Sequence, residues 1–190
     1  MKYIVIVFWI LPVFIACNPS EPETYLIPAG YTGRVNIIFN RINGEPPKYE
    51  NGRRVYNIPT SGILLTQFKD EYGITDHKYY HIRNDGTRLP IRIFQTEYNK
   101  DGTTKWSINN PDEMGIFLDG TTGAYGGNGN MKYQEFIVSD SAHLDSFFSV
   151  NYKFEFQKKV QDVLKINFQP NKLNDQQIDS MEKVLKRSRK

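Results

Sequence analysis

The sequence is poor in cysteine, and its proportions of apolar and charged residues are moderate. It has one cysteine, Cys17, in 190 residues, which excludes an internal disulfide framework and a cysteine-rich zinc site. Hydrophobic residues make up 39% and charged residues 24%, a balance that excludes collagen, a coiled coil and a fully disordered chain. A chain of this length fits one globular domain with a small appendage.

The first sixteen residues have the layout of a signal peptide. Lys2 is followed by a mostly apolar run from Tyr3 to Ile15, which is the order of charge and apolar core that such leaders show. As a helix the run rises only about 20 Å, short of the roughly 30 Å hydrocarbon core of a bilayer. The run therefore predicts a removable leader over residues 1–16 rather than a permanent transmembrane helix.

Cys17 defines the type of leader. The segment Phe14-Ile15-Ala16-Cys17 resembles a bacterial lipoprotein box, although Phe14 replaces the usual leucine. The resemblance implies cleavage before Cys17, acylation of that residue and a membrane as partner, since two acyl chains suffice for stable anchoring. The alternative is an ordinary free cysteine after a signal peptide. Residues 17–24 are then predicted to be the lipidated cysteine and an extended tether.

The positive net charge comes from the C-terminal end. The formal charge is +3, and five basic side chains lie within residues 183–190. These cations complement the dipole of a solvated helix end, although a contact with anionic lipid is an alternative. A nucleic-acid site needs a basic patch with reading residues beside it, so the sequence predicts no nucleic-acid partner.

Residues 25–138 are predicted to form a β domain. Short segments rich in β-branched and aromatic residues, such as 34–39 and 133–138, alternate with turn dipeptides. The turn dipeptides are Asn43-Gly44, Asn51-Gly52, Asp85-Gly86, Asp101-Gly102 and Asp119-Gly120. This alternation of short strands and turns predicts a mainly β fold, either an antiparallel sandwich or an open barrel, that is prealbumin-like by analogy.

Residues 139–190 change to helical spacing. Leu144, Phe147 and Tyr152 follow a helical period, and a last helix with a capping Asn174 is predicted to follow Pro170. We expect C-terminal helices packed on the β domain, with an interruption near residues 150–155.

No set of residues forms a convincing catalytic or metal motif. His77 and His81 have the spacing of a zinc helix, but in a strand they are about 13 Å apart, so they are interpreted as surface histidines. Asp140, Ser141, His143 and Asp145 contain triad residue types, yet they crowd a helix start where Ser and Asp act as caps. The sequence predicts no enzyme, no metal and no cofactor.

The glycine-rich segment 119–130 is the candidate recognition loop. It lacks the Gly-Lys-Ser/Thr ending of a phosphate loop, so a long hairpin loop is expected, and long loops often carry function. Tyr125, Asp119 and Asn128 are the candidate ligand contacts. Aromatic side chains on a strand face can stack on sugars or fill a protein interface, so the partner is a protein or a glycan.

Two motifs resemble a known family. Residues 25–35 (Tyr25-Leu-Ile-Pro-Ala-Gly-Tyr-Thr-Gly-Arg-Val35) with Asn43-Gly-Glu-Pro46, and residues 49–63 (Tyr49-Glu-Asn-Gly-Arg-Arg-Val-Tyr-Asn-Ile-Pro-Thr-Ser-Gly-Ile63), carry the resemblance. They are similar to an uncharacterised domain-of-unknown-function family of short bacterial secreted proteins and lipoproteins, over residues 25–140. The resemblance implies no activity, cofactor or site residue.

The functional prediction is a lipid-anchored protein of the bacterial envelope with a non-catalytic binding or structural domain. The predicted location is the outer membrane of a Gram-negative bacterium, on either its periplasmic or its surface face. Acidic Glu21 and Glu23 after the cysteine resemble the surface-export signals of some Gram-negative lipoproteins, although a polar linker is the simpler explanation. An immunity or inhibitor lipoprotein against a protein toxin is the alternative, and an envelope hydrolase is a third hypothesis.

Overall fold

The computed structural model describes residues 20–98, 100, 104–108, 110–126 and 131–165. The predicted leader, Cys17, Asn128 and the last predicted helix lie outside these residues. The strands are β1 Glu23–Pro28, β2 Gly33–Ile38, β3 Tyr49–Glu50, β4 Arg53–Asn57, β5 Ile63–Leu65, β6 His77–Ile82, β7 Arg88–Ile93, β8 Thr96–Tyr98, β9 Thr104–Trp106, β10 Gly115–Tyr125 and β11 Met131–Ser139. The helices are α1 Ser141–Leu144, a 3-10 turn Asp145–Phe148 and α2 Val150–Leu164.

Nine strands form one open sheet, in the order β3-β4-β1-β6-β7-β10-β11-β2-β5, and β8 and β9 form a separate pair. The sheet curls back on itself. The ring of Tyr25 on β1 lies 5.3 Å from that of Phe136 on β11, although three strands separate β1 from β11 along the sheet. The half made of β3, β4, β1, β6 and β7 therefore faces the half made of β10, β11, β2 and β5 across a common core, as in a sandwich.

The strand pairing is mixed rather than antiparallel throughout. β1 pairs in parallel with both β4 and β6, and β2 pairs in parallel with β5. The chain crosses to the other half of the sheet after β1, β2, β4 and β5, so the parallel neighbours β1 and β4, and likewise β2 and β5, are joined through at least one strand of the other half. These crossovers supply the long connections that parallel pairs need without helices between strands. The predicted mainly β fold with C-terminal helices is confirmed.

The core has two layers on either side of β2. Val35 and Ile37 face the opposite half of the sheet, and Ile38 faces α2, where Phe156 and Val160 are also buried. Every residue of β2 is buried. The half of the sheet that contains β1 covers one face of β2, and the helices cover the other face. Helices packed on the β domain were predicted, and α1 and α2 confirm that for residues 141–164.

Two predicted boundaries differ from the structure. β1 begins at Glu23, two residues before the predicted start of the β domain at residue 25, and Glu23 and Thr24 are buried. The helical interruption falls at Ser149, whose extended backbone precedes α2 and whose hydroxyl accepts from the Tyr152 amide. Among the described helices, none is both long and apolar enough to cross a bilayer.

Candidate functional site

Three stacked tyrosines in the core bind the carboxylates of the candidate site. Tyr56, Tyr25 and Tyr79 occupy matching positions on the neighbouring strands β4, β1 and β6. Their rings stack, with centroids 5.2 Å apart for Tyr25–Tyr56 and 4.5 Å apart for Tyr25–Tyr79. Their hydroxyls therefore point to a shared polar centre inside an otherwise apolar core.

The polar centre is the Glu23–His77–Asp119 cluster. The His77 imidazole uses both nitrogens, with Nε2 3.2 Å from Glu23 Oε2 and Nδ1 2.7 Å from Asp119 Oδ1. Tyr25 and Tyr56 donate their hydroxyl protons to Glu23, and Tyr79 donates to Asp119. The cluster joins β1 and β6 in one half of the sheet to β10 in the other.

Electrostatics fix the charge of the cluster. Burial by itself would lower the pKa of His77, but its hydrogen bonds to Asp119 and Glu23 outweigh burial and raise that pKa to about 9. Burial would raise the pKa of Asp119, but the bonds from His77 and Tyr79 outweigh it and lower that pKa. Near neutral pH the His77 ring is therefore a protonated imidazolium, bound to the ionised carboxylate of Asp119.

The cluster opens into a pocket of about 340 Å³. The pocket wall includes the carboxylates of Asp70 and Glu71 and the cation of Lys132. Lining residues also come from the residue after β2, from the loop before β6, and from β10 and β11: Phe39, Tyr72, Gly73, Thr75, Gly120, Thr122, Tyr133 and Gln134. Of the predicted contacts, Asp119 lines this pocket.

Tyr125 is placed differently from the prediction. Residues 119–125 belong to strand β10 rather than to a long loop, so Tyr125 ends a strand. Its ring stacks on Tyr133 at 4.4 Å, and its hydroxyl donates to Asn36 Oδ1. The expected hairpin at Asp119-Gly120 is a bulge inside β10, where Leu118 and Gly120 have positive φ.

His77 and Glu23 are the site residues that sequence reasoning missed. His77 was interpreted as a surface histidine, but its side chain is only 9% exposed. A signal existed: His77 precedes Tyr79 by two residues in a strand, so both point to the same face. In the described part of the chain, no cluster of three or more His, Cys, Asp or Glu residues is arranged to hold a metal ion.

The segment from Asp140 to Asp145, which contains the residue types of a catalytic triad, begins with a helix cap. Asp140 precedes α1, and its carboxylate accepts from the His143 amide at 2.8 Å, as expected for a capping residue. His143 Nδ1 also lies 2.9 Å from the same carboxylate, and Ser141 Oγ donates to the Pro111 carbonyl.

Comparison with known proteins gives a family. The sequence model of a family of unknown function, DUF6843, matches residues 19–147. The chain belongs to this family. The match confirms the resemblance and spans β1 to the 3-10 turn, so it includes the whole Glu23–His77–Asp119 cluster. No curated protein gives a significant match.

One solved structure is similar. It is a crystal structure of a candidate lipoprotein from Bacillus anthracis, at 16% identity and a TM-score of 0.46. The similarity covers 88% of this chain and 94% of that chain. At that similarity we transfer neither a site nor a function from it.

Proposed function

We propose that this chain is a lipid-anchored protein of the bacterial envelope whose β domain binds a small ligand without catalysing a reaction. The leader-like segment and the single Cys17 support the anchor. The ordered β domain begins at Glu23, six residues after that cysteine. An outer-membrane position is the finer part of this proposal.

The observation that carries the binding role is the pocket of about 340 Å³, which is lined by the internally bonded Glu23–His77–Asp119 cluster. Both nitrogens of His77 already face carboxylate oxygens, and a pKa of about 9 keeps the ring protonated at neutral pH. A general base must have an unprotonated nitrogen that faces the proton it takes, and a pKa near the working pH. The cluster therefore supports a fixed charge at the pocket floor rather than proton transfer.

The pocket favours a ligand with positive charge and hydrogen-bond donors. Its wall carries the carboxylates of Glu23, Asp70, Glu71 and Asp119. Against these four carboxylates stand three cations: Lys132, the protonated His77 and Arg54, which pairs with Glu71. The excess of carboxylate attracts a small amine and repels a small acid.

Charge variants of the pocket test this role. We expect ethanolamine and putrescine, but not glycolate, to shift the NMR signals of residues 70–77 in the mature chain. Asp70→Asn should weaken putrescine binding and Lys132→Gln should strengthen it, each about fivefold, the factor that corresponds to about 1 kcal/mol. Binding of glycolate alone, or shifts that ignore both variants, would contradict an amine site.

The anchor is tested separately. The full chain and a Cys17→Ala variant are expressed in a bacterial host, and membrane and soluble fractions are compared. We expect mass spectrometry to find an acylated Cys17 at the mature N-terminus, and the variant to lose both the acyl groups and the membrane fraction. An unmodified Cys17 in a soluble protein would refute the lipoprotein assignment.

A further inference from the structure

The first described residues are bound to the loop before β6. Ser20 Oγ shares a hydrogen bond with Thr75 Oγ1, and the Glu21 amide donates to Glu71 Oε2 at 3.1 Å. The Glu21 carboxylate pairs with Arg54. The chain that leads from Cys17 is therefore held on residues 71–75.

Three large side chains surround this point and are exposed. Tyr72 is 66% exposed, Ile74 is 78% exposed and Tyr49 is 51% exposed. Tyr72 and Ile74 neighbour the bonded Glu71 and Thr75 in sequence, and the Tyr49 hydroxyl donates to Glu21 Oε2 at 3.0 Å. We call these three residues the anchor-side patch.

The length of chain between Cys17 and Ser20 connects the patch to a membrane. Three residues span at most about 11 Å when fully extended. An acylated Cys17 lies at the bilayer surface, so Ser20 lies within that distance of the surface, and Thr75, which is bonded to Ser20, lies next to it. Among the described residues, the other large apolar side chains that are exposed lie elsewhere: neither they nor their sequence neighbours bond to residues 20–21.

We propose that the anchor-side patch contacts the bilayer that holds the acyl chains of Cys17, with Ile74 inserted at the boundary of headgroups and acyl chains. The inference rests on the proposed lipid anchor. Tyrosine suits this boundary because its ring is apolar and its hydroxyl stays hydrated. The transfer of an isoleucine side chain from water into an apolar environment has a favourable free energy.

The charges beside the patch favour apolar insertion rather than attraction to anionic lipid. Glu71 pairs with Arg54, and Asp76 pairs with Arg53, so neighbouring acids and bases offset each other. Contact through opposite charges would weaken with salt. Contact through Ile74 and the tyrosine rings is expected to persist in high salt.

The test uses tryptophan as a depth probe. Trp106 is replaced by Phe, and Ile74→Trp is introduced into the mature chain. Because Cys17 is the sole cysteine, it is coupled to a maleimide-bearing lipid in phosphatidylcholine vesicles that contain acyl-brominated lipid. Phe154→Trp, at a 54% exposed position on α2, is the matched control.

We expect a blue shift and loss of emission at position 74, in low and high salt, and neither at position 154. Absence of quenching at position 74 in the coupled chain would overturn the inference, and the patch would then fit a protein partner. Equal quenching at both positions would also overturn it. Coupling is chemical, so these outcomes are independent of whether cells acylate Cys17, which mass spectrometry decides for the proposed function.

Discussion

At the scale of single residues, the charge on His77 predicts how stability depends on pH. Its pKa rises from an ordinary 6.5 to about 9 in the folded chain, so protonation favours folding. This contribution is complete below pH 6.5 and is lost as the pH rises through 9. It amounts to about 2 kcal/mol after allowance for solvent screening. Urea unfolding at pH 6, 8 and 10 measures it.

A His77→Gln variant isolates that residue. It should lose about 2 kcal/mol at pH 6 and give an almost flat profile between pH 6.5 and 9. His143→Gln is the matched control, since the His143 side chain is 76% exposed and lies outside the Glu23–His77–Asp119 cluster. A parent profile that is flat over this range, or one that His143 alters, would contradict the role of His77.

The same residue shows what the sequence could and could not predict. Asp119 was selected as a ligand contact and does line the pocket. His77 was missed because its partners, Glu23 and Asp119, are 54 and 42 residues away in the chain. Pairings of that range depend on how the strands are ordered in the sheet, which local patterns do not define.

At the scale of elements, local signals predicted turns better than pairings. Asn51 and Gly52 both have positive φ in the hairpin between β3 and β4, as their dipeptide indicates. Asp119-Gly120 has a similar signal, yet it forms a bulge, because the strand continues to Tyr125 against β11. Parallel pairs such as β1 with β6 leave no mark in turn dipeptides, so the sequence indicated antiparallel pairing.

Helix α2 offers a prediction about docking. Phe156 is buried with Val160 against Ile38 and Ile63 of the sheet, whereas Phe154 on the same helix is 54% exposed. Phe156→Ala should destabilise the chain by about 3 kcal/mol. Phe154→Ala, which removes the same atoms, should cost less than about 0.5 kcal/mol. Similar losses in urea unfolding would show that α2 docks through another face.

At the scale of the whole molecule, the pocket and the anchor-side patch share a loop. Tyr72 belongs to both, and Gly73 and Thr75 line the pocket between the exposed side chains. Ser20 and Glu21 hold the same loop from the anchor side. If the patch meets the bilayer, the part of the pocket wall formed by this loop lies near the membrane surface.

The short tether makes this orientation testable. A flexible Gly-Ser linker of about 20 residues between Cys17 and Ser20 has an end-to-end distance of about 25 Å, which releases the domain from the bilayer surface. We expect the linker to leave the coupling of Cys17 intact and to reduce the quenching of tryptophan at position 74. An inserted rigid proline-rich linker should reduce it further, since it holds the domain away. Unchanged quenching with both linkers would mean that the patch holds the membrane by its own affinity, and the three residues before Ser20 would not set the orientation.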